Sequence, residues 1–123
     1  MVFRLEFYKS RAGAELALDY IRAQPKRHRA KIGRALQYLE DLGHMARRPR
    51  VDYLGGDIYE LRVAVEQHQH RLLYFFHERT AIVLTHGIMK QAAEVPSKEI
   101  ELAMRRKRRF TADPELHTYK ENP

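Results

Sequence analysis

Cysteine is absent from the 123-residue chain. That excludes a disulfide framework and any zinc site built on thiolates, and it is compatible with a reducing cytosol. Also missing is any run approaching the roughly 20 apolar residues of a membrane-spanning helix. The opening MVFRLEFYKS carries Glu6 and reads as a strand, not a secretory leader, so the expected location is cytoplasmic. No internal repeat is visible. Acidic residues are the minority: 16 Asp and Glu stand against 23 Lys and Arg, a formal net charge of +7. Because the positive charge is clustered, it points to a polyanionic partner, nucleic acid first, or to an acidic protein. A chain of this size holds one domain with a single core.

The elements follow from hydrophobic spacing. Phe3, Leu5 and Phe7 alternate with Arg4 and Glu6 as in a half-buried strand. Residues 12–23 carry Leu16, Tyr20 and Ile21 at helical spacing, and Pro25 ends that helix. A second helix resumes at Lys26 with a stripe of Ile32, Ala35, Leu36, Leu39 and Leu42, and Gly43 suits its stop. Together they predict a helical hairpin covering one side of a sheet. Arg47, Arg48, Pro49 and Arg50 read as a basic loop, and Gly55 and Gly56 as a turn. Pro96 opens a last helix with Glu99 and Glu101 early and five consecutive cations at 105–109 late, both complementing the helix dipole. The domain is placed at residues 1–110, and the polar segment 111–123 is read as a mobile tail.

Between them, residues 59–90 hold nearly all the strand-forming side chains. By parity Tyr59, Leu61, Val63 and Val65 share one side, read as buried, while Glu60, Arg62 and Ala64 share the other, read as exposed. Two further strands, 71–76 and 81–89, flank a loop at 77–80. If Phe76 closes opposite Ala81, Arg71 falls opposite His86, and Lys90, four residues on, aims the same way. These three groups then form a surface suited to phosphate. A loop of four or five residues near 66–70 leaves the face of Arg62 open, since a one-residue slip reverses it.

YELRV at 59–63, HRLLYFF at 70–76, and HGIMK at 86–90 followed by PSKEIELA at 96–103 come in order within this arrangement of elements. In this the chain resembles the phage-derived HigB-like toxins of the RelE/ParE superfamily over roughly residues 1–110. The resemblance implies a RelE-like α+β fold: a small antiparallel-rich sheet, an N-terminal strand and helical hairpin on one face, and a C-terminal helix. It implies the toxin of a type II toxin-antitoxin pair. Relatives of the RelE and HigB type are ribosome-dependent endoribonucleases that cut mRNA, whereas ParE-type relatives act on DNA gyrase. By motif position Arg71 matches the arginine of the R-x-x-Y strand, Lys90 the basic residue ending H-G-x-x-K, and Arg62 the arginine of E-L-R. Glu60 falls where some relatives carry a lysine or carboxylate. Gln91 stands where a second lysine is usual, which thins the positive charge, and Tyr59 replaces a commoner tryptophan. The implied partners are a helix-turn-helix antitoxin encoded by an adjacent gene, the ribosome and mRNA, with no membrane.

Metal-independent RNA cleavage needs a base for the 2'-hydroxyl, positive charge on the phosphate and an acid for the departing 5'-oxygen. Arg71 and Lys90 are the candidate charge stabilisers, with Arg62 in support; His86 or Glu60 is base or acid, in an order the residues leave open. Tyr74 either stacks on a base or is a core tyrosine with a satisfied hydroxyl. Arg47, Arg48, Arg50 and Lys98 complete the candidate substrate contacts. Plainer readings stand beside these: Arg71 paired with Glu66 or Glu78, a structural His86, and Glu60 as an ion-pair partner. His68 and His70 lack a third and fourth ligand, so no metal or cofactor is expected. A gyrase-type inhibitor acting through the basic terminal helix and tail is the alternative function, followed by a plain RNA-binding module, for which the stacked aromatics of sheet-based readers are lacking.

Overall fold

A single five-stranded sheet runs through the computed structural model, which describes residues 3–90 and 94–120. Its strands are β1 (Arg4–Phe7), β2 (Val51–Gly55), β3 (Ile58–Val65), β4 (His68–His77) and β5 (Ala81–Met89), in the spatial order β1-β5-β4-β3-β2. β1 lies parallel to β5 and the other pairs are antiparallel. Helices α1 (Ala17–Arg22) and α2 (Lys26–Leu42), with a 3-10 turn at Gly43–Met45, link β1 to β2, and α3 (Ser97–Ala112) and α4 (Pro114–His117) follow β5. The fold is mixed α+β.

α2 forms as its spacing predicts. His28, Ile32, Leu36 and Leu39 make its buried stripe, and each aliphatic side chain so buried contributes about 2 kcal/mol. The helix stops at Gly43, whose φ of +52° suits glycine and where a Cβ would lie 2.2 Å from the Phe3 ring. α1 is shorter than expected. Ser10 Oγ accepts the Glu15 N–H and Lys9 bridges to Leu16, which holds the preceding residues in a turn.

Parity sorts the central strands into two faces. Leu61, Val63, Leu72, Tyr74 and Leu84 point to the helical hairpin, where Gly87 admits the Tyr20 ring, whose nearest atom would be 2.3 Å from a Cβ. Leu73, Phe75 and Val83 point to the far face and meet α3, with the Phe75 and Phe110 rings 5.6 Å apart. The far face is therefore covered, not open, and Glu60, expected to be exposed, is only 3% accessible.

Three loops depart from expectation. β3 and β4 are joined by a two-residue turn at 66–67, with Glu66 at φ +56°, so β4 begins earlier than predicted. β4 and β5 close with His77 opposite Ala81, one step from the expected pairing, and a bulge between Leu73 and Tyr74 adds a second step. His86 consequently lies opposite Leu73, and Arg71 opposite Ile88. Two one-residue shifts restore the original face, so Arg71 and His86 stay on the same side although they are not partners. β2 was not expected at all. Of the segment read as a tail, α3 extends to Ala112, α4 covers Pro114–His117, His117 is buried against Tyr8, and the Tyr119 N–H donates to the Phe7 carbonyl at 2.8 Å; residues 121–123 lie outside the described residues.

Candidate functional site

Four strands and one helix bring a polar cluster together on the far face. β3 supplies Glu60 and Arg62, β4 supplies Arg71, β2 supplies Asp52, β5 supplies His86, and α3 supplies Glu99. The two-residue turn after Val65 sets Arg62 opposite Arg71, which settles its face. Glu60 Oε1 accepts from Arg62 Nε at 2.6 Å, and Arg71 Nε lies 3.7 Å from Glu60 Oε2. Arg62 also reaches Asp52 at 3.1 Å, and Asp52 takes a two-pronged bond from Arg48 at 3.0 and 3.1 Å. The hydrogen bond from Arg48, foremost, holds the Asp52 carboxyl below the usual carboxylate range. Burial lowers the affinity of the Arg71 guanidinium for its proton, and the Glu60 charge opposes that.

His86 sits between Thr85 Oγ1, 3.0 Å from its Nδ1, and Glu99 Oε1, 3.3 Å from its Nε2. Burial, then the nearby Arg106 charge, depresses its pKa, with Glu99 pulling the other way. The imidazole is therefore neutral near neutral pH and able to accept a proton. Lys90 follows β5 directly, its N–H donating to the Gln69 carbonyl at 2.7 Å. Strand parity carries it to the face of His86 and Ile88, and among the described residues it has no ion-pair partner. Gln91 lies outside the described residues.

Three buried side-chain atoms here lack a hydrogen-bond partner among the described residues: Glu60 Oε2, Arg71 Nε and His86 Nε2. Such orphans are scarce in native proteins because each costs about 1–3 kcal/mol. A cleft of about 270 Å³ lined by Asp52, Glu60, Arg62, Glu94, Val95 and Ile100, among others, opens at Glu60. Arg62 and Glu60 line that cleft, and Arg71, 5% accessible, is not among its lining residues.

The remaining candidates lie elsewhere. Tyr74 projects to the hairpin face and is 1% accessible, stacked on Tyr59 at 5.5 Å. It does not join the cluster, because strand alternation puts the width of the sheet between it and Arg71. Arg47, Arg48 and Arg50 are exposed on the loop before β2, with the Arg50 guanidinium 4.5 Å above the Tyr38 ring, and Lys98 is exposed in the first turn of α3. Sequence reasoning missed Asp52 and Glu99. Asp52 sat between the basic loop and the glycine turn, where no element was read, and Glu99 was attributed wholly to the helix dipole. Arg106, read as one of five late cations complementing the helix dipole, is buried and donates to the Thr85 carbonyl and to Glu15, both at 2.7 Å.

No helix among the described residues is long and apolar enough to cross a membrane. No curated protein matches the chain. A family model described as phage derived protein Gp49-like (DUF891) matches residues 19–108, a span that runs from α1 into α3 and contains every residue of the far-face cluster; the chain belongs to that phage-derived Gp49-like family.

Proposed function

We propose that the protein is the toxin of a type II toxin-antitoxin pair. In this reading it is a ribosome-dependent endoribonuclease that cuts mRNA through the 2'-hydroxyl without a metal ion, and a helix-turn-helix antitoxin from an adjacent gene silences it. The observation that carries the reading is the trio of buried atoms without a hydrogen bond on Glu60, Arg71 and His86, on the same face of the sheet as Lys90, which has no ion-pair partner among the described residues. A carboxylate oxygen and a neutral imidazole are proton carriers, and guanidinium and ammonium groups are anion binders, which is the set that phosphodiester cleavage requires.

Arg62 and Lys90 hold the phosphate at the cleft. Arg71, packed behind Glu60, fixes the carboxylate and adds positive charge. Glu60 and His86 divide the base and acid roles. The Lys90→Ala variant tests this with little risk to the fold, since among the described residues no ion pair holds the side chain. RNA cleavage on translating ribosomes should fall at least about 100-fold while the melting curve stays unchanged. Full cleavage by a folded Lys90→Ala protein would remove the site.

The burial of Glu60 and Arg71 favours a second reading, a non-hydrolytic inhibitor that blocks gyrase or another machine by binding. It leaves RNA intact and changes supercoiling.

A further inference from the structure

We propose that the cleft on the hairpin face beside residues 43–48 binds an unpaired RNA base. The inference rests on RNA as the ligand, as does the function proposed above, but not on cleavage. The cleft, about 230 Å³, is lined by His44, Arg47, Arg48, Tyr53, Tyr59 and Phe76, among others. That is below the roughly 300–1,000 Å³ of pockets for drug-sized ligands and suits a single flat group.

Its wall is a continuous run of rings. Tyr53 lies 5.0 Å from Tyr59, Tyr59 packs 5.4 Å from Phe76, and Phe76 stacks on His44 at 3.8 Å. Tyr53 stands on the edge strand 52% accessible, with its hydroxyl accepting the Asp57 N–H at 3.1 Å. An exposed ring pinned at its far end is a preformed stacking surface. Every base has a π-face, so aromatic side chains of this kind hold single strands whatever their sequence.

The charges around the cleft suit a phosphate backbone. Among the described residues Arg47, Arg50, Arg34 and Lys31 have no ion-pair partner. The last three line an adjoining cleft of about 360 Å³ that has no carboxylate in its walls. The one carboxylate on the aromatic cleft, Asp52, is held by Arg48 and Arg62. An acidic peptide would use those cations but would leave the ring wall without a matching partner; a nucleotide uses both. Asp52 also lines the far-face cleft. A strand seated on Tyr53 can therefore turn around the edge at β2 and deliver its neighbouring phosphodiester to Glu60 and Arg62.

Fluorescence anisotropy without ribosomes tests this, comparing a short single-stranded RNA with an abasic strand of equal length. Wild-type protein should prefer the base-bearing strand about tenfold. Tyr53→Ala should bring the two to parity, Tyr53→Phe should keep the preference, and Arg47→Ala should weaken both strands alike. The chain has no tryptophan, so tyrosine emission gives a second readout and should be quenched by the base-bearing strand alone. Equal binding of the two strands, or an undiminished preference in Tyr53→Ala, would overturn the proposal. So would polyglutamate that binds as tightly as RNA and depends on Tyr53. The preference for the base-bearing strand is read without ribosomes and without cleavage, so loss of the cleavage reading and loss of this site give different results.

Discussion

Lowering the pH should loosen the helical hairpin from the sheet, through His70. This residue is fully buried on β4, and both ring nitrogens are engaged: Nδ1 lies 2.6 Å from the Tyr20 hydroxyl and Nε2 lies 2.8 Å from His28 Nδ1. Burial pushes the Tyr20 pKa up to about 12, so Tyr20 keeps its proton and donates it to Nδ1. His70 then donates from Nε2 to His28, an arrangement that requires neutral rings. Burial first, and then the charge on neighbouring histidines, lowers the pKa of both His70 and His28 below the ordinary 6.5. The unfolded chain therefore takes up these protons at a higher pH than the folded protein does. Stability sits on its plateau above pH 6.5 and falls as pH drops below 6.5 toward the folded-state values. The slope reaches about 1.4 kcal/mol per pH unit from His70 alone, or about 5 °C in Tm for a chain of this length. His86 is depressed too and titrates in the same window, so the informative quantity is a difference between proteins. Thermal unfolding followed by circular dichroism from pH 7.5 to 5.0 should give a flatter curve for His70→Gln than for wild type, by about that slope. Parallel curves would refute the reasoning.

Other substitutions probe the remaining contacts. Gly43→Ala forces a methyl into the Phe3 ring at positive φ and should cost about 2–3 kcal/mol by urea denaturation. Phe110→Ala empties the contact between α3 and Phe75 and should cost about 3 kcal/mol, with residues after 112 becoming sensitive to limited proteolysis. Glu60→Gln keeps an acceptor for Arg62 but loses the charge between two guanidiniums. It should lower stability by about 1–2 kcal/mol and cleavage at least about 100-fold; a drop in stability with cleavage intact would make Glu60 an ion-pair partner only.

What the chain shows before folding is uneven. α2 is legible from end to end because Pro25, the stripe of Ile32, Leu36 and Leu39, and Gly43 agree. β1, β3, β4 and β5 are visible as alternation or apolar runs. β2 is not, because the four residues from Val51 to Leu54, between a basic loop and a glycine pair, carry too little periodicity. The turn at Glu66 lacks the Gly or Asn that marks a tight hairpin, so a longer loop looked natural. The pairing of Arg71 with His86 was wrong by two residues, yet their shared face was right, since a two-residue error leaves side-chain direction unchanged. At the site, the arginines could be named because they sit in strand motifs. The carboxylates that engage them could not: Asp52 meets Arg62 across a strand pair, and Glu99 meets His86 across the step from sheet to helix, juxtapositions that exist only after folding. Burial of Glu60 was hidden for the same reason, because nothing in an alternating strand says that a later helix will cover its polar side.

The central claim is that the far-face cluster cuts RNA. The most direct measurement is to map RNA ends in cells and on purified translating ribosomes after brief induction, comparing wild type with Lys90→Ala. New 5' ends within translated mRNA that appear with the wild type and vanish with the variant are the expected result. Growth arrest by the wild type with every transcript intact would contradict it.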